Sequence, residues 1–273
     1  MLISQINPLF YHSSVFAHRQ IRTIYKLIRF NNYSRKKSNN ILKYKLKSHK
    51  TVLLRKLGNA DMQLQRNKIV NLELAIDKVS GIMIHPKETF SLWSLIGKPT
   101  YKKGYKDGIV LIFDKFEPGV GGGLCQLANL LYWIALHSPL EVTERHRHGY
   151  DVFPDSGRII PFGTGATIFY NYVDLQFYNP TDQIFQLNLI IDNKNLRGEL
   201  RSNKEVFLSY KIEEKDHQFI YDNKSKHYFR TNKIYRKIID KHTGNLLERE
   251  LICENYCKVA YEPINTNIIY NIN

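Results

Sequence analysis

One stretch constrains the fold more than any other: residues 121–136, GGGLCQLANLLYWIAL, where three glycines run without a break into a helical apolar stripe. Leu127, Leu130, Leu131 and Ile134 keep helical spacing, and Ser138-Pro139 ends it. The spacing therefore predicts a helix over about 125–137 that begins at Cys125 and needs an apolar surface to receive it. A second helix is expected from Asp61, through Ile69, Leu72, Ile76 and Val79, with Gly81 as its stop.

Most of what remains is β-like. Short extended segments are expected at 82–84 and 89–93, then a strand at 109–113. Beyond the central helix, residues 167–178 and 184–191 read as strands around a turn at 179–182, followed by a hairpin at 193–198. Residues 206–212 and 251–260 add further strands. The expected class is α+β: a single mixed domain with a central Cys-bearing helix packed on antiparallel strands, preceded by a basic helical arm. The expected divisions are an arm and linker over 1–60, a core domain over 61–200 and a β-rich C-terminal extension over 201–273.

Charge separates the same regions. Residues 1–70 hold fifteen Lys and Arg against one acid, Asp61, and so supply +14 of the formal +15. The remainder, with 25 basic and 24 acidic residues, is close to neutral. Within the arm, Ile21, Ile24, Tyr25 and Ile28 form one helical stripe over 14–30, with Arg19, Arg22, Lys26 and Arg29 mostly off it. Two readings stand side by side. Residues 14–50 could lie on an anionic membrane surface, or the stripe could pack on the domain and leave the charges solvated. Residues 31–40 read as a linker. A nucleic-acid partner is disfavoured, because no reader motif accompanies the basic arm.

Three cysteines are too few to staple 273 residues and favour a reducing compartment. Cys253 and Cys257 lack metal-knuckle spacing and read as structural thiols. The first twenty residues lack the uninterrupted apolar stretch of a secretory signal, and no run approaches the roughly 20 residues of a membrane helix. The expected location is cytoplasmic, at most peripheral to the inner face of the membrane. No cofactor motif is present.

Candidate chemistry converges on Cys125. A thiol in the first turn of a helix meets unpaired N–H groups and the positive end of the helix dipole, which favour the nucleophilic thiolate. Gly121, Gly122 and Gly123 could admit a substrate backbone and turn N–H groups toward an oxyanion. Gln126 adds a donor, and Asn129 and Tyr132 share the Cys125 face. A small buried cysteine beside a tight turn is the competing reading. For a base, residues 144–151 offer His146 and His148, which alternate with Arg145 and Arg147. Asp151, Asp155 or Asp174 could orient a histidine, while His137, at a helix end, reads as a cap. His146 and His148 with a carboxylate are also a weak metal signature, and no metal site is assigned.

Taken together, residues 71–76 (NLELAI), 81–93 (GIMIHPKETFSLW), 121–136, 144–158 (ERHRHGYDVFPDSGR) and 163–179 (GTGATIFYNYVDLQFYN) resemble the VanW family over about 70–200. The resemblance implies a glycopeptide-resistance accessory role, and an L,D-transpeptidase-type acyl transfer on peptidoglycan stem peptides or lipid-linked precursors; a non-catalytic protein that binds cell-wall precursors at the membrane surface is the alternative. In the acyl-transfer reading Cys125 is the nucleophile and His148 the base. The glycine amides are oxyanion donors, and Gln126, Asn129 and Arg145 join them on the substrate side. Gly165 stands where many relatives have an acid, which leaves Asp151 or Asp174 as the third group.

Overall fold

The computed structural model describes residues 8–28, 32–54, 61–112, 115–147, 149–151, 160–264 and 266–271. At its centre is the apolar helix, Cys125–Leu136 in the structure, which follows three helices in chain order and is labelled α4. Leu127, Ala128 and every residue from Leu130 to Leu136 are buried. A helix apolar on all sides belongs inside a core, and α4 is covered on more than one side.

One cover is the antiparallel sheet β1-β10-β9-β2, formed by β1 (Tyr44–Val52), β2 (Ile82–Ile84), β9 (Phe185–Ile191) and β10 (Asn195–Ser202). Helix α4 contacts β1 and β10, and α2 (Met62–Val79) contacts β9. The two helices share this sheet because both turn aliphatic side chains to it: Leu72, Ala75 and Val79 of α2 are buried with Leu187, Leu189, Leu196 and Leu200 of the strands. Helix α2 starts where expected: the Asp61 carboxylate caps it by accepting the Gln63 N–H at 2.7 Å. Strand β1 lies within the span read as arm and linker, yet it pairs with β10 along its whole length.

A second antiparallel sheet, β3-β8-β6, joins Thr89–Ser91, Gln176–Tyr178 and Glu141–Glu144. Phe90 and Phe177 stack at its centre with ring centroids 4.3 Å apart. Short helix α3 (Leu92–Ile96) follows β3, and the hairpin β4–β5 (Asp107–Ile112 and Lys115–Val120) leads into the glycine turn. The third sheet is C-terminal: β11 (Leu208–Asp222), β12 (His227–Asp240) and β13 (Leu246–Val259) are antiparallel. Short parallel edges come from β14 (Ile268–Asn271) and β7 (Tyr150–Asp151).

Three expectations change. Residues 167–178 do not form continuous strand: Asn171 takes φ 51° in a turn, bridged by Phe169 and Val173, and only 176–178 are strand. The 31–40 segment is tied down where it is described, because the Ser34 N–H donates to Thr89 O at 3.0 Å and the Met83 N–H to Lys36 O at 2.8 Å. The third concerns the basic helix α1 (Pro8–Ile28), which does dock, but not by its apolar stripe. Arg22 makes a two-pronged ion pair to Glu144 at 2.7 and 2.8 Å, and Asn171 Nδ2 donates to Arg19 O and Thr23 Oγ1. Ile21, Ile24 and Ile28 face solvent. A bidentate charge pair on a half-buried carboxylate outcompeted the stripe for the docking face.

Candidate functional site

The turn that delivers Cys125 is built by backbone packing. Gly108 on β4 and Gly122 lie against each other; a Cβ at Gly108 would stand 2.5 Å from Gly122 O, and one at Gly122 would collide with the Gly108 backbone. Gly121 and Gly123 hold φ of 77° and 93°, a region that disfavours any side chain. Asn71 of α2 locks the turn: its Nδ2 donates to Lys106 O and Gly122 O, both at 2.9 Å, and its Oδ1 accepts the Lys106 N–H. The Gly121 N–H donates to Lys106 O at 3.0 Å and the Gly122 N–H to Gly119 O at 2.9 Å. Two of the three glycine amides expected as oxyanion donors are thus already spent on the turn.

Cys125 is the first residue of α4, as the spacing predicts. Its sulfur sits 3.9 Å from Ile168 O, and burial pushes the thiol pKa up, against weaker lowering by backbone hydrogen bonds. Here desolvation is the larger influence on the thiol, although Cys125 keeps some exposure to solvent. The polar strip behind it is covered by residues 163–168. Asn129 Oδ1 accepts the Ala166 N–H at 2.6 Å, and Arg145 donates through Nε to Gly165 O at 2.8 Å and through an η nitrogen to Gly163 O. The Arg145 guanidinium lies 4.9 Å from the centroid of the Tyr132 ring, whose hydroxyl is pushed by burial to about 12. A Cβ at Gly165 would approach Asn129 Oδ1 to 3.1 Å, so an acid there would press on this cover. Gln126 Nε2 donates to Thr51 Oγ1 and Val52 O, both at 2.9 Å, fastening α4 to β1.

The carboxylates are held elsewhere. Buried Asp174 accepts from Ser91 Oγ (2.6 Å), the Trp93 N–H (3.0 Å) and the Leu175 N–H (2.9 Å), where it fixes the start of α3. Buried Asp151 pairs with Arg230 at 3.1 Å and accepts from Tyr261 Oη at 2.9 Å in the C-terminal sheet. His148 and Asp155 lie outside the described residues. His146 is exposed, its Nε2 3.4 Å from Glu144 Oε1. His137 closes α4 as expected: Nδ1 donates to Trp133 O at 2.8 Å. Cys253 and Cys257 are free thiols on β13. Among the described residues no group of three or more metal-ligating side chains gathers.

Two features were not read from the sequence. Glu144 collects Arg22, Gln176 Nε2 (2.9 Å), the Asp174 N–H (2.7 Å) and His146. Burial alone would raise its pKa, but these hydrogen bonds and the Arg22 charge bring it to about 2. The other feature is a cleft of about 430 Å³ between α4, β6 and the C-terminal sheet, lined by Tyr132, Leu136, Glu141, Val142, Thr143, Arg145, Arg236, Leu251 and Ile252. Arg236 donates to Glu250 at 2.7 Å and to Ser138 O at 3.2 Å. Arg145 has only backbone carbonyls as hydrogen-bond acceptors and no carboxylate partner among the described residues. The alternation in ERHRH was the available signal, since it turns Arg145 away from His146.

The chain matches the family model described as "VanW like protein" over residues 67–201. It is 33% identical over 201 residues to "Vancomycin B-type resistance protein VanW" of Enterococcus faecalis, covering 74% of this chain and 72% of that protein. The chain belongs to the VanW family. A second relative, "Uncharacterized protein YoaR" of Bacillus subtilis, is 29% identical over 113 residues, 41% of this chain and 36% of that protein. No solved structure matches. The VanW-like segment holds the glycine turn, α4, Arg145 and the 163–168 cover. Helix α1 and the strands β11–β14 lie outside it, so the wall of the cleft formed by Arg236, Leu251 and Ile252 is contributed by the part of the chain beyond the family model.

Proposed function

We propose that this chain is a glycopeptide-resistance accessory protein that binds the carboxylate-bearing end of a peptidoglycan stem peptide, or of its lipid-linked precursor, without converting it. The resistance role draws on the name of the Enterococcus faecalis relative. The observation that carries the binding reading is Arg145. It is a cleft-lining guanidinium whose second η nitrogen has no hydrogen-bond partner among the described residues. A terminal carboxylate suits such a group, and Leu136, Leu251 and Ile252 offer apolar walls to small side chains beside it. Weighing against conversion, burial pushes the Cys125 thiol pKa up. The nucleophile of an acyl transfer is the thiolate.

Acyl transfer by Cys125, with His148 as base, is the second reading, and the position of the thiol at the start of α4 is what favours it. One set of measurements separates them. In the binding reading Cys125→Ala keeps affinity for a short acyl-D-Ala-D-Ala peptide and supports resistance in cells. Arg145→Gln weakens binding roughly 10- to 100-fold, the size expected of a lost charge-assisted hydrogen bond. Leu251→Trp, at a half-exposed position on the cleft wall, blocks the site without touching the core. Loss of resistance in a folded Cys125→Ala protein, with rapid thiol labelling of the parent at pH 7, would overturn binding in favour of transfer.

A further inference from the structure

Helix α1 carries its apolar side chains on the wrong side for a helix packed on a domain. Ala17, Ile21, Ile24 and Ile28 follow one another in steps of four, three and four residues, the repeat of a single helix face. Phe16 and Leu27 border the same face. Phe16, Leu27 and Ile28 are 64%, 69% and 76% exposed, and Ile21 and Ile24 are also open to solvent. The opposite face is occupied: Val15 is buried, Arg22 is bound to Glu144, and Asn171 holds the backbone at Arg19. The helix is therefore clamped by its polar side with an aliphatic face outward, an arrangement that costs hydration free energy unless something covers that face.

Charge decides between the occupants. The arm carries +14 over residues 1–70. Lys36, Lys43 and Lys50, in the segment that follows α1, are all exposed. A second copy of the chain would bring two such arms together across a two-fold contact and be repelled. An anionic lipid surface satisfies both features, since it accepts the aliphatic face at the level of the acyl chains and attracts a basic segment. Among the described residues no helix is long and apolar enough to cross a membrane, so α1 would lie along the surface.

We infer that α1 is a membrane-docking helix: its outward face, Phe16, Ile21, Ile24, Leu27 and Ile28, inserts into the interface of an anionic bilayer while Arg22–Glu144 fixes its orientation on the domain. The inference is independent of what the cleft binds. The test is co-sedimentation of the full chain with vesicles of phosphatidylcholine alone or with about a third phosphatidylglycerol, a content that gives the surface the negative potential of an anionic leaflet. The full chain pellets with the anionic vesicles and at least tenfold less with the neutral ones. The double substitution I24D/L27D, at exposed positions, abolishes pelleting while circular dichroism and the thermal midpoint stay unchanged. K36Q/K43Q/K50Q weakens it severalfold and flattens its salt dependence. Equal binding of I24D/L27D and the parent to anionic vesicles overturns the inference. So does a parent that does not pellet, or one that forms a concentration-dependent dimer lost in I24D/L27D.

Discussion

Helices α4 and α1 both carry a run of aliphatic and aromatic residues, and they end in opposite relations to the core. Helix α4 is sheathed, with its few polar side chains each absorbed by a neighbour: Gln126 by β1, Asn129 by Ala166, His137 by its own helix. Helix α1 is held by one ion pair and a few hydrogen bonds and shows its aliphatic face to solvent. An apolar stripe shows that a helix face must be covered; it does not show by what. For α4 the cover is encoded in the same domain by strands and by the 163–168 segment, whereas for α1 the domain supplies a partner only for the polar side.

The sharpest way to break this contrast is at the turn feeding α4. Gly122→Ala drives a methyl group into the Gly108 backbone, which cannot rotate away as a side chain could. We expect at least about 4 kcal/mol of destabilisation, or no soluble protein, read from the urea midpoint. A loss under about 1 kcal/mol would mean the β4–α4 contact is looser than drawn and that the glycines serve something other than packing.

Next in size is the far end of the same helix. Burial, together with the nearby positive charges of Lys47 and Arg236 and despite the bond to Trp133 O, lowers the His137 pKa from 6.5 to about 4. A group whose folded pKa is depressed binds its proton more readily when unfolded. Its contribution is therefore fully present above about pH 6.5 and is lost as the pH falls toward 4. The shift corresponds to about 3 kcal/mol at most. His137→Asn should flatten the stability profile between pH 6.5 and 4, measured by thermal melts at fixed ionic strength; an unchanged slope would assign the acid sensitivity to other groups.

These positions also show what the sequence could reveal. The start and end of α4, the start of α2 at Asp61 and the β9–β10 hairpin were legible because each depends on neighbours a few residues away. The polar strip of Cys125, Asn129 and Tyr132 was legible as a strip, but its cover was not, since Ile168, Ala166 and Arg145 approach from 13 to 43 residues further on. Glu144 was missed for the same reason: its partner Arg22 is 122 residues away. Cys125 was legible as the first residue of α4, while the desolvation that raises its pKa entered only as the competing buried-cysteine reading, because helix position argues for thiolate and the packing that opposes it comes from distant residues.

Below His137 in expected effect is the latch of α1. Glu144→Gln removes the charge that Arg22, His146 and the Asp174 N–H converge on, and should loosen α1 by about 2 kcal/mol, short of the 3–5 typical of a fully buried pair. Because the Glu144 pKa is depressed to about 2, acid should release the same helix between about pH 4.5 and 2. Hydrogen exchange over residues 8–28 should rise in the variant while β9 and β10 stay protected. Uniform loss of protection would show that Glu144 serves the core as much as the arm.

The smallest expected effect is the most informative about α1. Ile24→Gln and Leu27→Gln, each at an outward position, should change stability by no more than about 0.5 kcal/mol, as solvent-facing substitutions do. The same change at Leu130 or Ile134 of α4, both buried, should cost several kcal/mol because it leaves an amide without partners in a packed core. If the α1 substitutions instead cost as much as the α4 ones, the aliphatic face must be covered in solution by the protein itself, and the contrast between the helices would disappear. If they are silent for folding yet remove attachment to anionic vesicles, the apolar residues of α1 contribute to association and those of α4 to folding.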